Sequence, residues 1–423
     1  MISFDLSSKV KEILTTNSVK KIISTDNRKY EVVFTAPGPG VYNQQWFWDS
    51  CFHSIVWSNM GYNKRAVAEL ESLVIGKKEK EFFPHMIFWK QKKDKWWFFT
   101  DRLFPSKQYS ELIQPPIIGY SLFILSKNGW EFNKEDRLIT NTNQHYQYLL
   151  KTRDPEKTGL ISIVHPWESG LDSLPSYDLE LKDKPFFGLK ARLRFRKLLM
   201  DFKKRYFWEQ EQICKYSSFR IKDVLTNSLL AFSLKNYAEV LKKLGLDDLA
   251  LQYDKKSSEI TQSLIKYCWN NDKKIFFDLD VRTDKFKQIE VKTVGSLTPL
   301  LLDIPAVVKN SLIKHLINPR EYWLPYPIPS VAADESTFSP TEDKLLWRGP
   351  TWVNTNFLIW LGLNKQKEFE LAGKVAERTI AIIKKSGFRE FYNPFTGKGM
   401  GAKSFGWSTL VYSMNKKTKE IFL

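Results

Sequence analysis

The stretch NSLLAFSLKNYAEVLKKLG, Asn227–Gly245, decides the fold class. Leu229, Leu230, Phe232, Leu234, Tyr237, Val240, Leu241 and Leu244 recur at helical spacing and fall mainly on one wide face. Gly245 ends that helix, because a residue without a Cβ takes the left-handed helix-stopping conformation without steric penalty. Asp247 or Asp248 then opens a second helix, through Ala250, Leu251, Tyr253, Ile260, Leu264 and Ile265 to about Trp269. Two helices joined by so short a turn make a helical hairpin. Working outward, the same pairing is expected at 44–60 with 63–75, at 110–127 with 133–151, and at 351–361 with 365–385. Their turns fall at Gly61, at Asn128–Gly129 and at Gly362. Strand signals are few: Lys29–Thr35 reads as a strand, and 274–280 with 285–291 as a hairpin. The aromatic-rich segment Phe82–Leu103 reads as a long loop. Helical hairpins without a strict sequence repeat argue against regular TPR or HEAT arrays. They predict an all-α fold, an α-solenoid or a closed double ring of paired helices whose end loops form a cleft.

The composition sets further limits. A chain of 423 residues suits two or three average domains or one large helical toroid. No Gly/Ser or Pro-rich linker interrupts it, so 1–423 is read as one domain, with 182–215 as a basic, aromatic, lid-like insertion. Lys and Arg outnumber Asp and Glu by 65 to 47, giving +18. Such a field favours anionic partners, and the densest block is Lys190–Arg205. Elsewhere the lysines are scattered over helix surfaces, as at Lys235, Lys242 and Lys243, so no nucleic-acid partner is expected. Cys51, Cys214 and Cys268 form neither a disulfide framework nor a metal cluster. His53, His85, His145, His165 and His315 show no metal-ligand spacing, and no nucleotide motif is present. Neither a metal nor a cofactor is expected. The opening MISFDLSSKVKEIL lacks the apolar core of a signal peptide, and no apolar run nears the ~20 residues of a membrane span. The expectation is a cytoplasmic protein without a membrane span, with a homo-oligomer left open.

Chemistry is concentrated in two acidic motifs set among rings. HPWESGLDSLP, His165–Pro175, offers Glu168 and Asp172; FREFYNPFTGKGMGAKSFGWS, Phe388–Ser408, offers Glu390. Two carboxyl groups facing each other across an aromatic pocket are the minimum equipment for cleaving a glycosidic bond, one protonating the leaving oxygen and the other activating water or attacking the sugar. Aromatics reach 15%, and flat rings pack well on the C–H faces of sugars, although a bulky core would also use them. Trp46, Phe47, Trp48 and Asp49 are consecutive and cannot all face inward on one helix, which suits a pocket rim. Asp172 could instead cap a helix beginning near Pro175 or Tyr177. Glu390 could be a loop acid paired with Arg389. Arg220, Arg348 and Lys403 are candidates either for a substrate carboxylate or for ordinary ion pairs. His53 and His165 read as structural hydrogen-bonders. KGMGAK, Lys398–Lys403, lacks the strand–loop–helix context of a phosphate loop. No DxDD or DDxxD cluster supports a helical-barrel terpene cyclase.

Five stretches carry a resemblance: QQWFWDSCFHSIVW (Gln44–Trp57), HPWESGLDSLPSYD (His165–Asp178), VLTNSLLA (Val224–Ala231), WRGPTWVNTNFLIWLGL (Trp347–Leu363) and REFYNPFTGKGMGAKSFGWS (Arg389–Ser408). In that order they resemble glycoside hydrolase family 63, and more loosely the family 37 trehalases. The chain is most similar to compact bacterial and archaeal members that hydrolyse mannosylglycerate or glucosylglycerate. The resemblance implies an (α/α)6 barrel with a few short strands in loops, and inversion at the anomeric carbon. It implies Asp172 as general acid and Glu390 as general base. It implies Trp46, Trp48, Asp49, Gln114, Arg348 and Trp352 as sugar-pocket residues; Tyr42, Trp167, Glu168, Arg220 and Trp407 complete the expected substrate-binding set, with Glu168 also a rival to Asp172 as proton donor. Ser173 departs from the family's usual Asn, and the segment after Asp178 does not align. The expected substrate is a small α-glucoside or α-mannoside, first of all one with a glycerate aglycone. A neutral di- or oligosaccharide, or a non-catalytic carbohydrate-binding role on the same fold, are the alternatives.

Overall fold

The computed structural model describes residues 5–25, 28–89, 103–178, 189–341 and 346–415. Helices dominate. After α1 (Leu6–Thr16) comes a ribbon of β1 (Ser18–Thr25) and β2 (Arg28–Thr35), and then β3 (Gln45–Trp46) leads into α2 (Phe47–Asn59) and α3 (Asn63–Lys77). Next come β4 (Met86–Ile87), α4 (Ile118–Lys127), α5 (Arg137–Thr152), α6 (Leu189–Lys204), α7 (Gln210–Tyr216) and β5 (Ile221–Lys222). The longest hairpin pairs α8 (Val224–Lys243) with α9 (Asp247–Tyr267). Four short strands follow: β6 (Trp269–Asn270), β7 (Ile275–Phe276), β8 (Asp278–Asp280) and β9 (Lys287–Ile289). A 3-10 helix (Val294–Leu301) then precedes α10 (Ala306–Leu316), α11 (Val353–Lys365) and α12 (Phe369–Ser386). Strands β10 (Arg389–Tyr392) and β11 (Gly399–Lys403) form the last ribbon, before a second 3-10 helix (Gly406–Leu410) and α13 (Val411–Met414).

Burial separates two kinds of helix. Every residue of α2 except Asn59, and of α11 except Lys365, is buried. In contrast, α9 buries only Ala250, Tyr253, Ser257, Ile260, Thr261 and Leu264, the pattern of a helix with one face in the core. The heavily buried elements touch in a circuit: α2 with α4, α4 with α8, α8 with the 3-10 helix at 294–301, that helix with α11, α11 with the 3-10 helix at 406–410, and that one back with α2. Against the outside of this circuit lie α3 on α2, α9 on α8, α10 on the 294–301 helix and α12 on α11. Glycines permit the closest approaches. A Cβ on Gly119 would stand 2.6 Å from Ser233 O, and one on Gly362 would stand 2.8 Å from Leu300 Cβ.

Several expectations need correcting. Gly362 is inside α11; the turn comes at Gln366–Glu368, where Lys367 takes φ +63°. Residues 110–117 are not helical, because the Pro115–Pro116 pair lacks the N–H groups a helix interior needs. The ribbon strand β1 was not foreseen, although it pairs with β2 from Ser18–Thr35 to Thr25–Arg28. Glu390 is not a loop acid but sits on strand β10. Of the lid-like insertion, 182–188 lies outside the described residues, and the rest carries α6 and α7, with Leu198, Leu199 and Phe202 buried. Most of the aromatic loop expected from Phe82 to Leu103, residues 90–102, also lies outside them. Among the described residues no helix is long and apolar enough to cross a membrane.

Candidate active site

Loops at the ends of the buried elements surround a hollow of about 570 Å³, counted out to its open mouth. Glu390 reaches it from β10, where the pairing with β11 shifts register between Arg389 and Phe391. Both of its oxygens are held. The Tyr42 hydroxyl donates to Oε1 at 2.9 Å, and the Ala402 N–H donates to Oε2 at 2.8 Å. Gly401 makes the second contact possible: at φ +65°, a Cβ there would stand 2.5 Å from Oε2. Burial raises the Glu390 pKa, opposed by those two hydrogen bonds and by the charge of Arg389.

Asp172 arrives on a turn built by its own motif. The His165 Nδ1 accepts the Trp167 N–H at 3.1 Å and caps the 3-10 turn Pro166–Ser169. Gly170 ends that turn at φ +69°, and the Trp48 ring packs where its Cβ would be, 2.5 Å away. Below the turn, Glu168 is buried against Arg153 at 2.9 Å and accepts the N–H groups of Ile113 at 3.0 Å and Val164 at 2.8 Å. Asp172 is half-buried and lines the hollow, with no hydrogen-bond partner on Oδ1. Burial, and next the Glu390 charge, push its pKa up from 3.8 to about 7, against a backbone hydrogen bond at Ser173. It does not cap the short 3-10 helix at Pro175–Tyr177, which starts after Leu174 without a side-chain cap.

The WFWD stretch divides its side chains. Trp46 lies on β3, edge-on to Tyr42 and His85. Phe47 turns into the core against Phe83 and His145. Trp48 and Asp49 line the hollow. Gln114 accepts the Trp48 N–H on Oε1 at 3.0 Å, so its NH2 is the end left for a ligand. The opposite wall is a ring stack: Trp347 on Trp352 at 3.6 Å between centroids, Trp352 on Phe391 at 4.7 Å, and Trp407 edge-on to Trp352 at 5.7 Å. Four residues lining the hollow carry buried polar atoms without protein partners: Trp46 Nε1 and Trp352 Nε1 as donors, Asp49 Oδ1 and Asp172 Oδ1 as acceptors. Burial also raises the Asp49 pKa well above its ordinary value.

The hollow therefore brings together Tyr42, Trp46, Trp48, Asp49, Gln114, Trp167, Asp172, Trp352, Glu390 and Trp407. Four expected contacts fall elsewhere. Glu168 is spent on Arg153 and two backbone N–H groups. Arg220 donates to Glu156 at 3.3 Å, Ser217 O at 3.2 Å and Val281 O at 2.8 Å. Arg348 is buried beside Asp178, its Nη2 at 2.8 and 2.7 Å from the two carboxylate oxygens, while Nε and Nη1 meet no protein acceptor. Lys403 is exposed on β11. Trp347, Phe405 and Pro37 also line the hollow and were not foreseen. The first two stand inside the recognised motifs; nothing in the sequence around Pro37 marks it. Among the described residues no three His, Cys, Asp or Glu side chains gather as a metal site.

Residues 42–408 match the family model of the mannosylglycerate hydrolase MGH1-like glycoside hydrolase domain. The chain is 28% identical to a mannosylglycerate hydrolase of Thermus thermophilus, over 92% of this chain and 98% of that one. It is 22% identical to the glucosylglycerate hydrolase of Mycolicibacterium hassiacum, over 88% and 92%. The crystal structure of a GH63 mannosylglycerate hydrolase from Thermus thermophilus, in complex with Tris and D-glycerate, superposes with a TM-score of 0.81 at 25% identity, covering 97% of this chain and 99% of that one.

Proposed function

The chain belongs to glycoside hydrolase family 63, in its mannosylglycerate hydrolase MGH1-like group, and from that premise we propose that it hydrolyses mannosylglycerate or glucosylglycerate with inversion at the anomeric carbon. The names of its relatives support the substrate class. The observation that carries the mechanism is a hollow holding one buried carboxyl with both oxygens hydrogen-bonded and one half-buried carboxyl with an oxygen that meets no protein partner, beside two unpartnered indole N–H groups. The hydroxyls of a sugar both donate and accept, and so can satisfy these buried polar atoms.

In this reading Asp172 is the general acid. Its raised pKa keeps a proton available near neutrality, and the unpartnered oxygen is free to meet the glycosidic oxygen. Glu390 is the general base. Tyr42 and Ala402 hold it still while it takes a proton from water on the opposite side of the sugar. Water attacks the anomeric carbon, the bond to the aglycone oxygen breaks, and that oxygen leaves with the Asp172 proton. Trp46, Asp49, Gln114 and Trp352 bind the sugar's hydroxyls, and Trp48, Trp167 and Trp407 supply faces for its C–H groups. We further read the closed circuit of buried elements as the inner ring of an (α/α)6 barrel, the whole chain as one domain, and 182–215 as its lid-like insertion.

The test is release of free sugar from mannosylglycerate, glucosylglycerate and a neutral disaccharide, with NMR of the first-formed anomer. Turnover of a glycerate glycoside with inversion, abolished by Asp172→Asn or Glu390→Gln, is expected. Turnover of the neutral sugar alone would move the reading to an α-glucosidase. Turnover of none would leave a binding protein of this fold.

A further inference from the structure

Asp172 has one carboxyl oxygen with no protein partner, so its aim is set by how its backbone is held. Its segment is tied down at four points. Ser173 Oγ accepts the Trp347 N–H at 3.1 Å. Asp178 takes Arg348 Nη2 on both oxygens. The Tyr177 hydroxyl donates to buried Asp223 at 2.9 Å, and Arg194 donates to Tyr177 O at 2.7 Å. Two of these ties go to consecutive residues, Trp347 and Arg348. A few residues further on, the same segment is bonded to the strand of Glu390: Thr351 N–H donates to Tyr392 O at 2.8 Å, and Tyr392 N–H returns to Thr351 O at 2.9 Å. Arg348 is almost completely buried, does not line the hollow, and has its charge matched by Asp178. One short segment is thus fastened to the acid turn at one end and to the base strand at the other.

We propose that residues 347–352 form a spacer that sets the position of Asp172 relative to Glu390, and that the Arg348–Asp178 pair is its fastening. Both are positioning residues rather than substrate ligands. The inference rests on Asp172 being the proton donor. A misplaced donor has a signature that a loosened fold lacks. The glycerate oxygen needs a proton to leave, whereas fluoride departs as a stable anion. Moving the acid therefore slows glycoside hydrolysis and spares the α-glycosyl fluoride of the same sugar.

The experiment compares mannosylglycerate and glucosylglycerate with α-mannosyl and α-glucosyl fluoride, using wild type, Asp178→Asn, Arg348→Lys, Ser173→Ala and, as reference, Asp172→Asn. The reference variant is expected to lose ~10²–10⁴-fold in kcat on the glycosides and to keep most of its rate on the fluoride. Asp178→Asn and Arg348→Lys should lose roughly tenfold or more on the glycosides, since small misplacements are costly, with the fluoride rate within a few-fold of wild type. Ser173→Ala, which removes one acceptor only, should show a smaller loss of the same kind even if the charge variants do not fold. Equal losses on both substrates would mean a merely structural pair and overturn the proposal. A rise in KM confined to the glycerate glycosides would make Arg348 a carboxylate ligand, and would overturn it too. If Asp172→Asn itself loses both activities equally, the assignment of the proton donor fails first, and the spacer proposal falls with it.

Discussion

Replacing Asp172 by Asn should make the protein more stable, and increasingly so as pH rises. Burial and the Glu390 charge move this carboxyl from an ordinary 3.8 to about 7 in the folded state. In the unfolded chain it returns to the ordinary value. Between those pH values the folded state holds a proton that the unfolded state has released, so stability falls as pH rises. The contribution is fully present below pH 3.8, and is lost as pH passes through about 7. At about 1.4 kcal/mol per pH unit, the full loss is roughly 4 kcal/mol. Asn has the same shape and no charge to bury, so Asp172→Asn escapes it. Denaturant titrations of both proteins from pH 4 to 9 measure the difference, because the other titrating groups are common to the two and largely cancel. The stability gap should grow by roughly 4 kcal/mol across that range and level off above pH 8. A gap that stays flat with pH would refute the claim that desolvation and the neighbouring acid raise this carboxyl's pKa, and with it the case for a donor that stays protonated near neutrality.

Other outcomes follow from the same geometry. The kcat/KM profile should fall above about pH 7, as Asp172 loses its proton, and fall at acid pH as Glu390 gains one, its pKa being raised; initial rates on the glycosyl fluoride should lack most of the alkaline limb. Glu168→Ala should cost ~3–5 kcal/mol in denaturant titration, because Arg153 stays buried and unpaired; a folded variant whose only change is a higher KM would return Glu168 to the substrate. Gly401→Ala should lower kcat roughly tenfold or more while KM changes little, since the new Cβ must displace Glu390 Oε2 from 2.5 Å; steady-state rates at normal KM and kcat would show that the base tolerates being moved.

What the sequence announced was periodicity and motif. The α8–α9 hairpin was legible because Leu229 to Leu244 repeat at helical spacing and Gly245 stops them. The ribbon strand β1 was not, because SVKKIIST mixes lysines and isoleucines without clean alternation, and only pairing with β2 makes it a strand. Gly362 looked like a turn residue, yet it serves close helix approach; a glycine's purpose depends on a neighbour, Leu300, that lies far away in sequence. Trp46, Trp48, Asp49, Trp167, Asp172, Trp352, Glu390 and Trp407 stand inside the matching stretches and line the hollow, as do Tyr42 and Gln114 from outside them. The partners of the charged residues were not legible. Glu168, Arg220 and Arg348 look alike in a string of letters whether they meet a ligand or another side chain. Their partners Arg153, Glu156 and Asp178 are set by tertiary packing alone.

The contact between Glu390 and Tyr42 joins the two extremes of the described chain. Nearby, Gly406 N–H donates to Pro37 O at 2.7 Å, and Asn17 donates to Ser404 O at 2.8 Å. Tyr42 therefore meets its counterpart only 348 positions further along the chain. A chain shortened before position 390 would lack Glu390 and leave this seam open. Joining the first and last described residues by a linker and cutting the chain elsewhere would be a natural way to learn whether that late seam is the last part of the molecule to close.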